Sequence, residues 1–406
     1  MSAIAWIAVG SLAAWMWLLL GQGFFWRTDQ RLPRRTAPDG WPSVAIVVPA
    51  RDEADMLPVS LPSLLAQDYP GAAEVILVDD CSKDGTGDLA RALSVRYGGL
   101  PVTVVSPGEP EPGWTGKLWA VRHGISLARA REPAPEYLLL TDADIAHEPD
   151  SLRELVAAAR SGGFDLVSQM ARLRVASAWE RLVVPAFVYF FAQLYPFRWV
   201  NRATARTAAA AGGCVLLRTG AAEQARVPES IRQAVIDDVS LARAVQRSGG
   251  RIWLGLAERV DSVRPYPRLA DLWRMVSRSA YAQLRHNPLL LVGTVLGLAV
   301  VYLAPPVTLA AGLLGGDPPA AWAGGAAWVV MAGTYMPMLG FYRQSLWLAP
   351  LLPFTAVLYL LMTVDSALQH YRGRGAGGNG GYNAPPPAAP DRWAGGGTRT
   401  PPVAGR

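Results

Sequence analysis

The chain has 406 residues, is 51% hydrophobic and carries a formal net charge of +6, with a pI of about 9.5. This length and apolar content fit one large domain together with membrane segments, and the positive charge fits membrane topology better than nucleic-acid binding. The chain has two cysteines, Cys81 and Cys214, without metal-ligand spacing. They argue against a disulfide framework and favour a reducing, cytosolic environment.

An uncharged apolar run, residues 3–25, begins the chain. About 20 residues suffice for a helix to cross a bilayer, and the run is longer than the core of a typical signal peptide. Arginines follow at positions 27, 31, 34 and 35. By the positive-inside rule this end of the run is cytoplasmic. We therefore predict a transmembrane anchor over residues 1–26, with the next domain in the cytoplasm.

From residue 40 to residue 287, short apolar or β-branched runs alternate with helical stretches. The runs are 44–48, 74–78, 102–105, 137–140 and 165–169, and the helical stretches include 88–96, 117–129 and 151–159. This alternation predicts an α/β domain with a mostly parallel sheet and helices on both faces.

Two carboxylates, Asp142 and Asp144, follow the predicted strand 137–140. Side chains at positions i and i+2 of an extended segment point the same way, so both carboxylates leave the strand end together. That end is where open α/β sheets bind ligands. Two hard oxygen ligands suit Mg²⁺ or Mn²⁺, usually shared with substrate phosphates. The spacing therefore indicates a metal and phosphate site.

The first two predicted strands also end in polar residues. The first leads into Pro49, Ala50, Arg51 and Glu53, and the second into Asp79 and Asp80. Acidic groups at such strand ends commonly accept hydrogen bonds from a ribose or a base. For the first strand taken alone, the start of a charged helix is the favoured explanation. After the second, Thr86 can cap the next helix, but this role does not account for the paired aspartates.

Two helix starts complete the set of candidate residues. Lys117 follows Gly116 at a predicted helix N-terminus, where a lysine can contact a diphosphate. Asp237 and Asp238 precede a second helix, and acids there are common as N-terminal charges. Asp238 also lies on the inward apolar stripe of that helix, which suits a general base.

These motifs occur in a defined order. They are Val-Pro-Ala-Arg-Asp-Glu (48–53), Asp-Asp-Cys-Ser-Lys-Asp-Gly-Thr (79–86), Gly-Lys (116–117), Asp-Ala-Asp (142–144) and Asp-Asp-Val-Ser-Leu (237–241). The series resembles the family 2 glycosyltransferases over about residues 43–285. The terminal hydrophobic segments look most like those of the hopene-associated and ceramide glucosyltransferase-like branch. The resemblance implies a GT-A fold, a nucleotide-sugar donor such as a UDP-sugar, a divalent metal (Mg²⁺ or Mn²⁺) and inversion at the anomeric carbon.

The resemblance also implies roles for individual residues. Asp80, with Asp79, would bind the nucleoside, and Asp142 and Asp144 would bind the sugar diphosphate and the metal. Asp238 takes the place of the catalytic base. The remaining predicted positions are Pro49, Ala50, Arg51, Glu53, Lys117 and Arg278 for the donor, and Gly212, Gly213, Cys214 and Asp237 near the acceptor.

One departure from the family concerns the Gln/Arg-x-x-Arg-Trp pattern of processive and ceramide-type relatives. The nearest stretch here is Met275-Val276-Ser277-Arg278-Ser279, in which Arg278 alone survives. This departure disfavours a processive polysaccharide synthase.

Three apolar segments follow the domain within residues 289–368, at about 289–314, 319–341 and 346–368. Pro305-Pro306 would kink or split the first of them. Residues 373–406, rich in Gly, Pro and Ala, are predicted to be disordered. Four spans would place this basic tail outside, against the positive-inside rule, so the span count stays open.

Two further stretches point to the bilayer surface. Residues 182–200 combine aromatics with basic flanks, which suits either the membrane interface or a buried core helix. Residues 268–285 form an amphipathic helix with Arg278 on its polar face, typical of an interfacial helix. If Arg278 points into the site, this helix would form a wall between the donor and the lipid.

The sequence thus predicts a multi-pass enzyme of the bacterial inner membrane with a cytoplasmic catalytic domain. It would move a sugar from a nucleotide-sugar to a lipid hydroxyl, such as that of a hopanoid, without nucleic acid as a partner. A polyprenyl-phosphate sugar transferase is the alternative within the enzyme class. A non-catalytic membrane subunit that retains the fold is the alternative from another class.

Overall fold

A computed structural model describes residues 1–372, so the predicted disordered tail, 373–406, lies outside the described residues. The helices are α1 (Ala3–Leu20), α2 (Leu57–Leu65), α3 (Thr86–Tyr97), α4 (Gly116–Arg129), α5 (Ser151–Gly162), α6 (Ala178–Leu194), α7 (Phe197–Val200), α8 (Thr219–Gln224), α9 (Asp237–Arg247), α10 (Leu269–Gln283), α11 (Pro288–Leu298), α12 (Ala304–Gly315), α13 (Pro318–Phe341) and α14 (Leu352–Tyr371). The strands are β1 (Val44–Ala50), β2 (Ala73–Asp79), β3 (Val102–Val105), β4 (Tyr137–Thr141), β5 (Ile145–His147), β6 (Leu166–Arg172), β7 (Cys214–Arg218) and β8 (Ile252–Ser262).

The eight strands form one mixed sheet in the order β3-β2-β1-β4-β7-β6-β8-β5. The half from β3 to β4 is entirely parallel, as the alternation of strands and helices predicts. In the other half, β7 runs antiparallel to both β4 and β6, and β5 runs antiparallel to β8. The sequence pattern does not predict β5, β7 and β8. Their positions depend on pairing with strands that are distant in the chain.

Helices cover both faces of the sheet, which confirms the predicted α/β architecture. On one face, α2 packs its leucines against Ile46 and Val48 of β1. On the other face, α4 packs against Val47 and Val78. Helix α4 can approach β1 closely because residue 124 is a glycine. A Cβ at this position would lie 2.4 Å from Cγ1 of Val47. All these side chains are buried, and burial of apolar surface is the main stabilising contribution.

Three described helical segments are long and apolar enough to cross a membrane: Ala3–Leu20, Pro288–Gly315 and Leu346–Tyr371. The predicted segment at 319–341 is the helix α13, which is not among them. The second segment stays continuous through Pro305 because a π-helical turn, Ala299–Leu303, precedes the proline. Such turns accommodate a break in the regular i to i−4 hydrogen bonding.

Helix α1 compensates for the missing hydrogen bond at this proline. In a regular α-helix the carbonyl of Val301 would accept from residue 305, which as a proline has no N–H. Instead, Trp15 Nε1 donates to the Val301 carbonyl at 2.6 Å, and Ser11 Oγ donates to the Val300 carbonyl at 2.7 Å. Buried backbone carbonyls need such partners, above all where water is scarce.

The two stretches that suggest membrane contact pack against the C-terminal helices. In α6, Tyr189 bonds Thr334 of α13 at 2.8 Å, and the Val183 carbonyl accepts from Tyr359 of α14 at 3.1 Å. Helix α6 is therefore largely a buried packing helix. Of the two explanations for its aromatic residues, the buried core helix is the one that applies to most of α6. Helix α10 also packs on α14, since Trp273 Nε1 donates to Asp365 at 2.8 Å.

Candidate functional site

The loops after β1 and β2 hold each other at the sheet edge. Asp52 and Cys81 both have a positive φ, of 52° and 55°. This conformation costs energy in residues with a Cβ and persists only where the surroundings impose it. Ser82 Oγ accepts from the Asp52 N–H at 3.0 Å, and Asp52 Oδ1 accepts from the Lys83 N–H at 2.8 Å. The two polar motifs thus form one rigid unit.

Asp80 directly follows β2 and is buried within this unit. Burial raises the pKa of its carboxyl, although the nearby Arg51 guanidinium, at 3.4 Å, lowers it in part. Its Oδ1 is buried and has no hydrogen-bond partner among the described residues. A buried acceptor without a partner costs free energy unless a ligand supplies a donor. Asp80 therefore offers a free acceptor to the N–H or O–H group of a ligand.

Helix α4 begins directly against Asp80. A Cβ at Gly116 would lie 2.4 Å from Asp80 Oδ2, so the approach requires glycine. Thr115 caps the helix, with its Oγ1 accepting from the Leu118 N–H at 3.4 Å. The structure gives Thr86 a different role from the predicted helix cap: it is the first residue of α3, and its Oγ1 accepts from the Glu53 N–H at 2.9 Å.

Lys117 connects two of the predicted carboxylates. Its Nζ lies 2.8 Å from Asp142 Oδ1 and 3.1 Å from Asp237 Oδ2. Burial opposes the lysine charge, but the two carboxylates outweigh it and raise the pKa of Lys117. Burial also raises the pKa of Asp142, and Lys117 opposes this rise. The ammonium therefore holds together a cluster of acids that would otherwise repel one another.

Asp238 lies beside this cluster. Its Oδ2 accepts from the Gly212 N–H at 3.0 Å, and its Oδ1 accepts from the Val239 N–H at 2.7 Å. Burial, together with the neighbouring charge of Asp237, raises the pKa of Asp238 to about 7, despite these two hydrogen bonds and Lys117. A carboxyl group with a pKa near neutrality can accept and release protons at physiological pH.

One open cleft is lined in part by Pro49, Lys117, Asp142, Gly212, Asp237 and Asp238. Gly213 lies next to Ile145, and Cys214 is fully buried in β7, where burial raises the pKa of its thiol to about 12. Of the small-residue loop, Gly212 thus faces the cleft and Cys214 faces the core.

Asp144 leaves the same strand end but contacts a residue that the sequence motifs do not predict. Arg264 Nε donates to Asp144 Oδ2 at 2.8 Å, and Arg264 Nη2 donates to Glu53 at 2.5 Å. Arg264 follows β8, a strand without a clear signal in the sequence, so nothing in its local pattern marks it.

Arg278 of α10 lies near Tyr266, a tyrosine that is also affected by Asp144 and Arg264. Burial raises the pKa of Tyr266, and the charges that act on this tyrosine include Asp144, Arg264 and Arg278. Arg278 is exposed on α10, close enough to Tyr266 for its charge to act on the pKa of that tyrosine. Its predicted role in donor binding stays a prediction.

The carboxylates at this edge fit a divalent ion that shares its ligands with a substrate. Within residues 1–372, no group of three or more His, Cys, Asp or Glu side chains is arranged to hold a metal. Mg²⁺ commonly uses only one or two protein carboxylates, together with substrate phosphates and water. Asp142 and Asp144 are two carboxylates of this kind, paired here with Lys117 and Arg264, and their role as metal ligands stays a prediction.

Taken together, the fold and the site define an α/β domain of the nucleotide-binding type, with its polar groups at the carboxyl ends of parallel strands. The family model described as "Glycosyltransferase like family 2" matches residues 42–282. The chain therefore belongs to this family, and the resemblance seen in its motifs is confirmed at that level.

A solved structure supports the fold. The mannosyltransferase PcManGT from Pyrobaculum calidifontis, in complex with GDP-Man and Mn²⁺, is 21% identical, with a TM-score of 0.56 over 88% of this chain and 99% of that one. At this identity the likeness concerns the fold, and it confirms the predicted GT-A architecture.

Curated relatives match the chain over shorter stretches. An undecaprenyl-phosphate 4-deoxy-4-formamido-L-arabinose transferase from Pseudomonas aeruginosa is 28% identical over 182 residues, 43% of this chain and 45% of the relative. The glycosyltransferase AglE from Haloferax volcanii is 28% identical over 127 residues, 31% of this chain and 38% of the relative. The chain thus spans less than half the length of these relatives.

Proposed function

We propose that the protein is a membrane-bound inverting glycosyltransferase that moves a sugar from a nucleotide-sugar donor to the hydroxyl group of a lipid. The observation that carries the proposal is Asp238, whose carboxyl is held by the N–H groups of Gly212 and Val239 and lines a cleft shared with Lys117 and Asp142. Family membership gives the reaction class, and this carboxyl is a suitable base for it.

In the proposed reaction, Asp80 and Arg51 hold the nucleoside, and Lys117 lies where the diphosphate would approach the N-terminus of α4. Asp142 and Asp144 would hold a divalent ion, which when bound supplies charge neutralisation to the leaving diphosphate. Asp238 accepts the proton of the acceptor hydroxyl as its oxygen attacks the anomeric carbon from the opposite face. A single displacement of this kind inverts the configuration at that carbon.

The lipid acceptor is proposed from the packing around the site. Helix α10 carries Arg278 close to Tyr266 and packs on α14, which forms most of a segment able to span a membrane. A lipid in the cytoplasmic leaflet could therefore approach along this helix. A hopanoid or another polycyclic alcohol would fit the proposal, as would a UDP-sugar donor. We further propose that the protein lies in the bacterial inner membrane, with its catalytic domain in the cytoplasm.

A polyprenyl-phosphate acceptor is the second candidate, and the names of the Pseudomonas relatives favour it. A phosphate acceptor is already ionised near neutral pH and needs little help from a base. The two candidates therefore differ in how strongly the rate depends on Asp238.

The proposal is tested by nucleoside diphosphate release from the purified full-length protein in lipid nanodiscs. A panel of nucleotide sugars is combined with extracted lipids, separated into neutral alcohols and polyprenyl phosphates. We expect metal-dependent turnover with one donor and a lipid alcohol, and a loss of at least about 100-fold in Asp142→Asn and Asp144→Asn. Turnover that both variants retain in full would contradict the site. Turnover with polyprenyl phosphates alone would favour the second candidate.

A further inference from the structure

Arg264 connects two loops of the candidate site. Its guanidinium bonds Asp144, in the loop after β4, and both carboxylate oxygens of Glu53, in the loop after β1. Its side chain is 32% exposed, while those of Asp144 and Glu53 are 14% and 16% exposed. These charge-assisted contacts are partly buried, and they are therefore stronger than ordinary ion pairs on an exposed surface.

The backbone holds Arg264 in this place. Ile145 pairs with Ser262 in the antiparallel β5–β8 ladder, and the Val263 N–H donates to the Asp144 carbonyl at 2.9 Å. Arg264 is the next residue, so its side chain starts beside the Asp144 carboxylate. The contact is thus built into the sheet and does not depend on a chance surface conformation.

This contact conflicts with a metal at Asp144. Nε of Arg264 donates to Oδ2 at 2.8 Å, so a divalent ion at either oxygen of this carboxylate would lie close to the guanidinium charge and be repelled by it. An anion placed between them would remove the conflict, because a guanidinium binds phosphate as well as carboxylate. The diphosphate of a nucleotide-sugar is such an anion.

We propose that Arg264 is a positioning residue that occupies Asp144 in the ligand-free protein and moves its Nε contact to the diphosphate of the donor, which frees Asp144 for the divalent ion. The inference rests on the proposed function and deepens it, since it couples metal binding to donor binding. Glu53 keeps the guanidinium at the site during the exchange, because its contact uses Nη2.

The test measures two binding equilibria of the full-length protein in detergent micelles, without turnover. Mn²⁺ binding alone is followed by electron paramagnetic resonance. UDP and GDP binding is followed by calorimetry in the presence of EDTA. The variants are Arg264→Gln and Arg264→Lys. Arg259→Gln is the matched control, since Arg259 lies on β8 and pairs with Asp150, away from the site.

In Arg264→Gln we expect the affinity for Mn²⁺ and the affinity for the nucleoside diphosphate to change in opposite directions. Mn²⁺ alone should bind at least about threefold more tightly, because Asp144 has lost its competing cation. The nucleoside diphosphate should bind about tenfold more weakly, the loss of one charge-assisted contact. Arg264→Lys should shift both in the same directions by less, and it serves as the test if the glutamine variant fails to fold. Arg259→Gln should match the wild type.

A purely structural role would weaken both equilibria, and this result would overturn the inference. An unchanged Mn²⁺ or diphosphate affinity in the Arg264 variants would overturn it as well, while the proposed function would stand. Failure of the wild-type protein to bind either nucleotide, with or without Mn²⁺, would overturn the proposed donor class together with the inference.

Discussion

Asp238→Asn removes the proposed base with little change in shape. The two side chains have nearly the same volume, so the cleft keeps its form. The carboxylate accepts one N–H at each oxygen, from Gly212 and from Val239. Asparagine has one oxygen and therefore keeps one of these two hydrogen bonds. Losing the other costs about 1–3 kcal/mol of folding free energy, and removing the repulsion with Asp237 offsets part of this cost.

The expected effect on the reaction is much larger than the effect on folding. A general base contributes about 100- to 10,000-fold to a rate, which corresponds to about 3–5 kcal/mol in the barrier. We expect kcat with a lipid hydroxyl acceptor to fall by this factor, while nucleoside diphosphate affinity changes by less than about threefold. The variant should keep its cooperative thermal transition within a few degrees of the wild type.

The assay is nucleoside diphosphate release at saturating donor, with binding of the nucleoside diphosphate and thermal melting as parallel measurements. Asp150→Asn is the control, since Asp150 pairs with Arg259 outside the cleft and its loss should leave kcat unchanged. A loss of less than about tenfold with a hydroxyl acceptor would refute Asp238 as the base. A similarly small loss with a polyprenyl phosphate is what the second candidate function predicts.

Three further outcomes are expected. The value of kcat/KM should rise with pH, reach half its maximum near pH 7 and level off above about pH 8, because the pKa of Asp238 is raised to about 7 and only its ionised form accepts a proton. A profile that falls between about pH 6 and 8 would contradict this. Gly116→Ala would place a Cβ 2.4 Å from Asp80 Oδ2, so calorimetry should show at least about tenfold weaker nucleotide binding. Gly220→Ala, in open space, should bind normally, and equal affinities would refute the steric argument. Trp15→Phe should lower the free energy of unfolding by about 1–3 kcal/mol, measured by thermal melting, since it leaves a backbone carbonyl unpaired; an unchanged melting temperature would count against this.

Much of the fold follows from local pattern. The parallel strands β1, β2, β3 and β4 are continuous apolar or β-branched runs, because both of their faces are covered by helices. The mixed half, from β7 to β5, was harder to predict. Strand β5 has three residues, and β8 combines apolar positions with Glu258, Arg259 and Asp261, so neither has the pattern of a buried strand.

The candidate site likewise contains residues that the sequence predicts and one that it does not. Asp80, Asp142 and Asp144 follow strands with clear patterns, and open α/β sheets usually place their ligand-binding groups at such strand ends. Asp238 was predicted from the apolar stripe of its helix, and it lies beside Gly212 in the cleft. Arg264 could not be predicted, because its role depends on the pairing of β5 with β8.

The sequence by itself determined the family, the α/β alternation and the positions of its acidic residues, because each of these is written in short runs along the chain. Only the tertiary structure decided which charges meet. Lys117 joins Asp142 to Asp237, and Arg264 joins Asp144 to Glu53, across separations of 25 to 211 residues. Electrostatic interactions depend on distance in space and on burial, and neither is local in the sequence.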